Sequence, residues 1–389
     1  YKDTRTESLA VTAKNISDVT LPKIEAQKYT GFDFTVDAKG TELQSHSVKV
    51  ADFVLMDGSH KLERGTDYEI AGYENNKNVG TATINIIGKG GYTGKASVSF
   101  PIVAQELNGT IVYQGGSGIT PVIKDKEYNH KEATSSDGYT FKFSDVPGTG
   151  ELAVVDEKGA AIDPAKYTVT YKDNKAAGTA TITVEGKGAY KLYAVNTFRI
   201  VPAKLHNEDR TAHENLVSSI TLKDTTATYT GEEIKPAATV VATDGDYTLV
   251  EGTDYKVEYS DNVNVGTDTA KVKVIGLGNY AGTVEEKYVT TGNHLLANFT
   301  ITKADINATD IVAADVPYAG GITVTPSITI KNRYSNKALV EGTDYTVEVT
   351  KGGANAGQAE AKIKLTAAGE KNYEFNSTIS TNKTECIVK

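Results

Sequence analysis

The histidines are the residues of this sequence whose spacing comes nearest to that of a metal site. His206 and His213 lie within "HNEDRTAHEN", beside Glu208, Asp209 and Glu214. On a helix, a spacing of seven residues would place both imidazoles on one face, where they could bind a metal ion together. The same letters also describe a solvated, charged linker, and this plainer interpretation is the one we adopt.

Two glycine-rich stretches look like loops that cradle a phosphate. They read "GKGGYTG" at 88–94 and "GLGNYAG" at 276–282. A phosphate loop needs a following helix whose N-terminus faces the anion. The residues after both stretches alternate like a β-strand, so the sequence predicts turns here and no phosphate site.

Acidic clusters and the single cysteine complete the chemical candidates. "TDGDY" at 243–247 and "SDN" at 260–262 could hold Ca²⁺ through carboxylates and carbonyls, although they lack the spacing of a dedicated calcium loop. We therefore predict no cofactor and leave calcium at a domain junction as an open alternative. No Gly-x-Ser-x-Gly elbow is present, and Cys386 is expected to pack as a free thiol. The chain is not expected to be an enzyme.

Composition narrows the class of protein. The 389 residues carry 41 Lys and Arg against 50 Asp and Glu, a net charge of −9, which argues against a nucleic-acid partner. One cysteine excludes an intrachain disulfide framework. No apolar run approaches the roughly 18 residues of a membrane span. The start "YKDTRTES" is read as that of a mature or excised piece of a larger, exported protein.

A repeated motif dominates the sequence. "LVEGTDY" occurs at 249–255 and again at 339–345, with "LERGTDY" at 62–68 and the divergent "IDPAKY" at 162–167. The motif tyrosines are spaced 99, 88 and 90 residues apart, which indicates four copies of one module. The candidate residues of this structural motif are Gly65, Asp67, Tyr68, Tyr167, Gly252, Asp254, Tyr255, Gly342, Asp344 and Tyr345.

The motif is predicted to be a corner that leads into a core strand. Its glycine permits the bend, its aspartate can hydrogen-bond the local backbone as in an Asx turn, and its tyrosine buries the ring while the hydroxyl keeps a hydrogen bond. A fourfold active site is disfavoured, because the second copy replaces the polar groups with Asp163, Pro164, Ala165 and Lys166.

The elements around the corner recur as well. Three copies open on a tyrosine turn, which reads "KYTGFDF" at 28–34, "TYTGEEI" at 228–234 and "PYAGGIT" at 317–323. Asp57-Gly58 and Asp244-Gly245 predict hairpins. Segments such as "DYEIAGY" and "DYKVEYS" alternate with a period of two, as strands with one buried face do. About seven strands per copy and no convincing helix predict an all-β protein built from antiparallel sandwiches.

These motifs resemble the tandem immunoglobulin-like repeats of long secreted surface proteins and adhesins of Gram-positive bacteria. The pattern there runs "YTG…P…L.EGTDY.V.Y..N.NVGTA.V.I.GKGNYTGT…F.I", and 228–301 matches most of it while 28–103 matches nearly as well. The second copy departs at its motif, and the fourth has "AAGEKNYEF" in place of the glycine-rich turn. The resemblance implies an extracellular sandwich-fold stalk and implies no catalytic residue.

The predicted domains are four immunoglobulin-like repeats arranged as an elongated rod. Their boundaries are 1–104, 105–204, 205–304 and 305–389. The second repeat carries a loop insertion near 129–150. The third carries a charged linker at 201–216 and an insertion at 290–296, and loops of this kind are where binding is most often added.

Two functions fit these expectations. The first is a non-catalytic structural and adhesive stalk on the bacterial cell surface, a monomeric rod whose partner is an extracellular ligand, a host or matrix surface, or a glycan. The second is a carbohydrate-binding accessory region of an extracellular polysaccharide-acting enzyme, weakened by the absence of Trp among 22 Tyr. An internal Lys–Asn isopeptide bond, which needs a buried Lys, Asn and acid to meet between strands, is a further alternative.

Overall fold

The structure is a computed structural model, and the chain it describes is almost wholly β. Two four-residue helices, α1 (His130–Ala133) and α2 (Gly369–Asn372), are the α-helical exceptions among the described residues. The all-β prediction is thus confirmed. The described residues are 7–36, 47–48, 53–115, 118–146, 149–206, 216–284 and 298–389.

The chain divides into two compact units. The first comprises Tyr1–Asp125, Tyr139–Asn174 and Thr179–Arg199, and the second comprises Lys126–Gly138, Lys175–Gly178 and Ile200–Lys389. The first unit therefore holds the first copy of the repeat and most of the second. The second unit holds the third and fourth copies together with a short segment of the second. The four predicted boundaries stay predictions.

The described strands of the first copy are β1 (Lys14–Asn15), β2 (Gln27–Lys28), β3 (Thr35–Val36), β4 (Ser47–Val48), β5 (Met56–Asp57), β6 (His60–Lys61), β7 (Tyr68–Glu74), β8 (Gly80–Gly88), β9 (Tyr92–Thr93) and β10 (Lys95–Val103). Its main sheet has the order β2-β10-β8-β7. β2 is parallel to β10, and the other neighbours are antiparallel. β5 and β6 form the hairpin that Asp57-Gly58 predicts.

The described strands of the second copy are β11 (Gln105–Glu106), β12 (Thr110–Gly115), β13 (Gly118–Thr120), β14 (Lys126–Glu127), β15 (Leu152–Val155), β16 (Tyr167–Lys172), β17 (Gly178–Gly186), β18 (Tyr190–Lys191) and β19 (Tyr193–Val201). In the first unit, β12 lies between β13 and β15, and β16 is antiparallel to β17. In the second unit, β14 runs parallel to the last two residues of β19.

The described strands of the third copy are β20 (Ala203–Lys204), β21 (Val217–Leu222), β22 (Thr226–Thr228), β23 (Ala238–Asp244), β24 (Tyr247–Thr248), β25 (Tyr255–Ser260), β26 (Gly266–Gly276), β27 (Tyr280–Ala281), β28 (Thr283–Val284) and β29 (Phe299–Thr302). One sheet has the order β22-β29-β26-β25 with β28 beside β26, and a second has the order β21-β23-β24. β23 and β24 form the hairpin that Asp244-Gly245 predicts.

The described strands of the fourth copy are β30 (Ala304–Ile306), β31 (Ile311–Ala314), β32 (Ser327–Asn332), β33 (Lys337–Ala338), β34 (Tyr345–Lys351), β35 (Glu360–Leu365), β36 (Tyr373–Phe375) and β37 (Glu385–Val388). They form two three-stranded sheets, β31-β32-β33 and β34-β35-β37, and β30 pairs in parallel with β36.

Side chains on the long strands alternate as the period of two predicts. In β8, Ala82, Ile84 and Ile86 are buried while their neighbours are not, and β17 repeats the pattern. In the first copy, buried side chains of the main sheet, such as Phe100 of β10, pack with Leu55 from outside that sheet in one cluster. The fourth copy has its own cluster. Each of these two copies therefore has its own hydrophobic core.

The joints between copies are short. One residue separates β10 from β11, one separates β19 from β20, and one separates β29 from β30. β20 begins at Ala203, which pairs with Tyr280 of the third copy. The predicted linker at 201–216 thus begins with the last residue of β19 and contains β20. Its charged centre, 207–215, lies outside the described residues, as does the predicted insertion at 290–296.

Candidate functional site

The "GTDY" corner has one geometry in three copies. Its tyrosine is the first residue of a core strand, and its glycine donates the backbone N–H to the carbonyl of that tyrosine. The glycine has a positive φ, a conformation that residues with a Cβ rarely adopt. The N–H to carbonyl distances are 2.7 Å for Gly65–Tyr68, Gly252–Tyr255 and Gly342–Tyr345, with φ of +92°, +82° and +83°.

The aspartate of the corner accepts a hydrogen bond from the backbone N–H four residues before it. The donors and distances are Glu63 to Asp67 at 2.8 Å, Val250 to Asp254 at 2.9 Å and Val340 to Asp344 at 2.7 Å. The backbone carbonyl of the same aspartate accepts an N–H from the stretch that follows the next strand: Lys89 in the first copy, Leu277 in the third and Thr366 in the fourth. The corner is therefore tied to a second turn of its own copy.

The second copy makes the same joint with different residues. Asp163 caps a 3-10 turn over Pro164–Lys166 and accepts the N–H of Ala165 at 2.8 Å. The carbonyl of Lys166 then accepts the N–H of Lys187 at 2.9 Å. The divergent letters of this copy thus keep the fold of the corner without its glycine.

The four motif tyrosines bury their rings, but their hydroxyls differ. Tyr345 donates to the carbonyl of Ile328 at 2.7 Å, as expected of a tyrosine corner. The buried hydroxyl of Tyr167, by contrast, has no hydrogen-bond partner within the described part of the chain, so that part of the prediction is wrong for this copy. Burial raises the pKa of Tyr167 to about 12. Tyr68 and Tyr345 lie in the separate cores of their copies.

A feature that sequence analysis missed joins one copy to the next. The tyrosine of the opening turn, or in the second copy Tyr128 just before helix α1, packs edge-to-face on the tyrosine that follows the second turn of the next copy. Edge-to-face packing is the arrangement that aromatic rings favour. The three pairs are Tyr29–Tyr190 at 5.5 Å between ring centroids and 84° between planes, Tyr128–Tyr280 at 5.3 Å and 79°, and Tyr229–Tyr373 at 5.4 Å and 90°.

Around Tyr128–Tyr280, within the second unit, further groups converge. His130 stacks flat on Tyr247 at 3.6 Å, and its backbone N–H donates to Asp244 Oδ2 at 3.0 Å. The same oxygen accepts the hydroxyl of Tyr280 at 3.2 Å. Asp244 belongs to the acidic "TDGDY" cluster, so the structure shows one of its carboxylates already engaged by two protein donors.

Tyr247 continues this network to the corner of the third copy. Its hydroxyl donates to Asp254 Oδ2 at 2.7 Å, and this bond is the main reason that the pKa of Tyr247 rises to about 12. The pKa of Tyr280 is also raised, chiefly by burial and then by the charge of Asp244. Phenols with raised pKa values stay protonated and act as hydrogen-bond donors, which suits a packed joint.

The joint between the third and fourth copies uses an amide where the previous joint uses a carboxylate. Asn332 Nδ2 donates to the carbonyl of Tyr229 at 3.0 Å, and Asn332 ends β32 as Asp244 ends β23. Lys337 pairs with Glu232 at 2.9 Å. Tyr229 also packs against the core of the fourth copy. The two copies therefore share polar and apolar contacts.

The glycine-rich stretches, the cysteine and the histidines take up structural positions or lie outside the described residues. Strands β10 and β28 follow the glycine-rich stretches, as the prediction of turns requires. Cys386 is buried, and burial raises its pKa to about 11, which disfavours the nucleophilic thiolate. Of the paired histidines, His213 lies outside the described residues. No group of three metal-ligating side chains, and no helix of the length and apolarity needed to cross a membrane, occurs in the described ranges.

Comparisons with known proteins add little. No family model matches the sequence, and no curated protein matches it. Among solved structures the chain is similar to the crystal structure of the S-layer protein rSbsC(31-844), at 11% identity and a TM-score of 0.16. The match covers 82% of this chain and 48% of that one, so this chain spans about half the length of the matched structure. A TM-score of this size carries no argument about function.

Proposed function

We propose that the chain is a non-catalytic structural and adhesive stalk region of a bacterial cell-surface protein, built from four immunoglobulin-like sandwiches in a rod. The single observation that supports this proposal is the tyrosine pair that recurs at all three joints. One joint of this kind could be incidental to a fold. Three joints with the same ring geometry support a chain whose copies are fastened in series, which is what a stalk requires.

The length of the joints supports the same proposal. A single residue connects the last strand of one copy to the first strand of the next, so the covalent link leaves little room for independent motion. An edge-to-face aromatic pair contributes about 0.5–1.5 kcal/mol beyond its buried area. A short link together with a packed ring pair would resist bending and would hold a terminal binding unit away from the cell wall.

The corner residues fit a stalk better than an enzyme. Their carboxylates accept backbone hydrogen bonds, and the pKa of each motif tyrosine is raised, chiefly by burial. Phenols with raised pKa values are poor general acids or bases near neutral pH, because a catalytic pKa lies near the working pH. We accordingly propose that the chain is not an enzyme, and that it works outside the cell with an extracellular ligand or a host or matrix surface as its partner.

Small-angle scattering of the intact chain tests the rod. Four sandwiches end to end would reach on the order of 150 Å. A single compact domain of this length would have a radius of gyration of about 21 Å. A scattering curve that fits the compact value would end the proposal.

Two substitutions and a control test whether the joints stiffen the chain. Tyr128→Ala and Tyr229→Ala each remove one ring pair, and we expect scattering curves that show a more flexible chain. Tyr193→Ala is the matched control, because Tyr193 is 71% exposed and has no ring contact in the described chain. Equal curves for all three variants would show that the joints do not stiffen the rod.

A carbohydrate-binding accessory region is the second candidate, and exposed tyrosine rings favour it. Tyr193 and Tyr334 present large parts of their rings to solvent, and an amphipathic ring in water can lie against another molecule. A glycan array with the intact chain separates the two functions. Saturable binding to one polysaccharide that is lost in Tyr193→Ala or Tyr334→Ala would favour this candidate over the stalk.

A further inference from the structure

Each joint has two halves, and each kind of half recurs once more in the described chain. The opening-turn half is supplied by Tyr29, Tyr128 and Tyr229, and the accepting half by Tyr190, Tyr280 and Tyr373. The fourth copy repeats the first half at Tyr318 in "PYAGG", and the first copy repeats the second half at Tyr92 in "GKGGYTG". Among the described residues, no aromatic ring packs on either tyrosine.

The accepting face of the first copy is built like the one in use on the third. The hydroxyl of Tyr92 donates to Asp57 Oδ2 at 3.1 Å, as Tyr280 donates to Asp244 Oδ2. Asp57 and Asp244 both end the first strand of an Asp-Gly hairpin. On the third copy, the carboxylate also accepts a backbone N–H from the copy before it, whereas Asp57 is bound by Lys14 at 2.6 Å.

The opening turn of the fourth copy shares its glycine conformation with two of the three that are packed. Gly320 follows Tyr318 by two residues with φ +68°, as Gly31 follows Tyr29 with φ +85° and Gly231 follows Tyr229 with φ +77°. Tyr318 is 60% exposed and Ile322 is 70% exposed. An apolar turn with the shape of a docking element is therefore left in water.

We propose that these two halves bind each other between two copies of this chain, so that Tyr318 of one molecule packs edge-to-face on Tyr92 of the next. In this arrangement the backbone near Gly320 approaches Asp57, as the backbone of His130 approaches Asp244 within the chain. A second copy is the expected partner because three joints within the chain already pair these two kinds of tyrosine. The contact is head-to-tail, so Tyr92 of the first molecule and Tyr318 of the second can each bind a further copy.

The association is expected to be weak. Within the chain, one connecting residue holds the two halves of a joint together, which corresponds to an effective concentration of millimolar order or more. Two separate molecules lack that link, so the contact between them is weaker than the joints within the chain and needs a high protein concentration to be populated. The inference goes beyond the proposed stalk, because it requires only the geometry of the joints and no ligand.

Sedimentation equilibrium of the intact chain over a concentration series tests the proposal. The wild-type chain is expected to show an average mass that rises with concentration, and Tyr318→Ala is expected to stay monomeric. Tyr318 is exposed, so this substitution does not endanger the fold. Tyr318→Phe keeps the ring and should associate like the wild type, and Tyr193→Ala, another exposed tyrosine, is the matched control.

A mixing experiment tests the head-to-tail geometry. Tyr92→Ala keeps the Tyr318 half, and Tyr318→Ala keeps the Tyr92 half, so each variant alone should stay monomeric. Together they can form one contact and should give a mass that stops at two chains. Circular dichroism checks that Tyr92→Ala folds. A monomeric wild type, or association that survives in Tyr318→Ala, would overturn the proposal, as would a mixture that stays monomeric when both variants fold.

Discussion

One carboxylate, that of Asp254, holds together the hairpin and the corner of the third copy. It is 7% exposed and accepts both the backbone N–H of Val250 and the hydroxyl of Tyr247. Hydrogen bonds to a charged acceptor contribute about 1.5–3 kcal/mol each, before the cost of burying the charge. The corner aspartate of the fourth copy, Asp344, is bound by the N–H of Val340, and no tyrosine in the described ranges donates to it.

We therefore predict that Asp254→Ala destabilises the third copy by roughly 1–3 kcal/mol, and by more than Asp344→Ala destabilises the fourth. Hydrogen exchange of the intact chain measures both effects, because each substitution should speed exchange in the strands of its own copy. Equal effects for the two substitutions would contradict the importance of the tyrosine bond. Faster exchange spread evenly over all four copies would contradict modular stability.

The pH dependence of the same bond has a definite sign. The hydrogen bond to Asp254 raises the pKa of Tyr247 from 10.0 to about 12. Because the folded pKa lies above the unfolded one, the contribution to stability is fully present below pH 10 and is lost as the pH rises through about 12. Ultraviolet titration of tyrosinate should show one fewer late-ionising phenol in Asp254→Ala. An unchanged titration curve would contradict the assignment.

At the scale of an element, a recurring asparagine links the polar loop to the opening segment of each of three copies. Its backbone carbonyl accepts an N–H from that segment, and its side-chain amide donates to the carbonyl of the same residue. The preceding residue has a positive φ. The pairs are Asn76 with Phe34, Asn174 with Tyr139 and Asn262 with Ile234, with amide distances of 2.7, 2.8 and 3.0 Å.

Asn262→Ala removes the side-chain half of this bridge in the third copy. Asn262 is 4% exposed, so the carbonyl of Ile234 would lose its donor where little water can replace it. We predict a loss of about 1–3 kcal/mol in the stability of the third copy. Asn264→Ala, two residues further on, is the matched control, because Asn264 is exposed. In calorimetry of the intact chain, Asn262→Ala should lower the temperature of one unfolding transition, and Asn264→Ala should lower none.

The asparagine bridge is one of several features that show what could be predicted from the sequence and what could not. The period of two predicts the buried faces of β8 and β17, and the Asp-Gly pairs predict both hairpins, because these features depend on near neighbours in the chain. The asparagine recurs visibly in "ENN", "KDN" and "SDN" and could have been found from that recurrence. The tyrosine pairs could not, since Tyr29 and Tyr190 meet only after two copies have folded and docked.

At the scale of the whole molecule, the division into two compact units does not follow the limits of the four copies. Lys126–Gly138 belongs by sequence to the second copy but clusters with the second unit. The reason is the joint, where Tyr128 packs on Tyr280 and His130 packs on Tyr247. A repeat protein of this kind should have a stability that is the sum of each copy's own core and its contacts with neighbours.

Mechanical unfolding tests whether the four copies or the two compact units are the bodies that unfold cooperatively. If each copy unfolds as one body, pulling the chain from its two ends should give four events. Successive motif tyrosines are 99, 88 and 90 residues apart, and an extended chain spans about 3.3–3.6 Å per residue, so each event should release about 300 Å. We expect this pattern because the clusters of buried side chains in the first and fourth copies are separate. Tyr229→Ala should leave the number of events unchanged, because it weakens a joint and leaves the strands of each core in place. Two events of about twice that length would instead make the compact units, with their shared joint residues, the bodies that unfold.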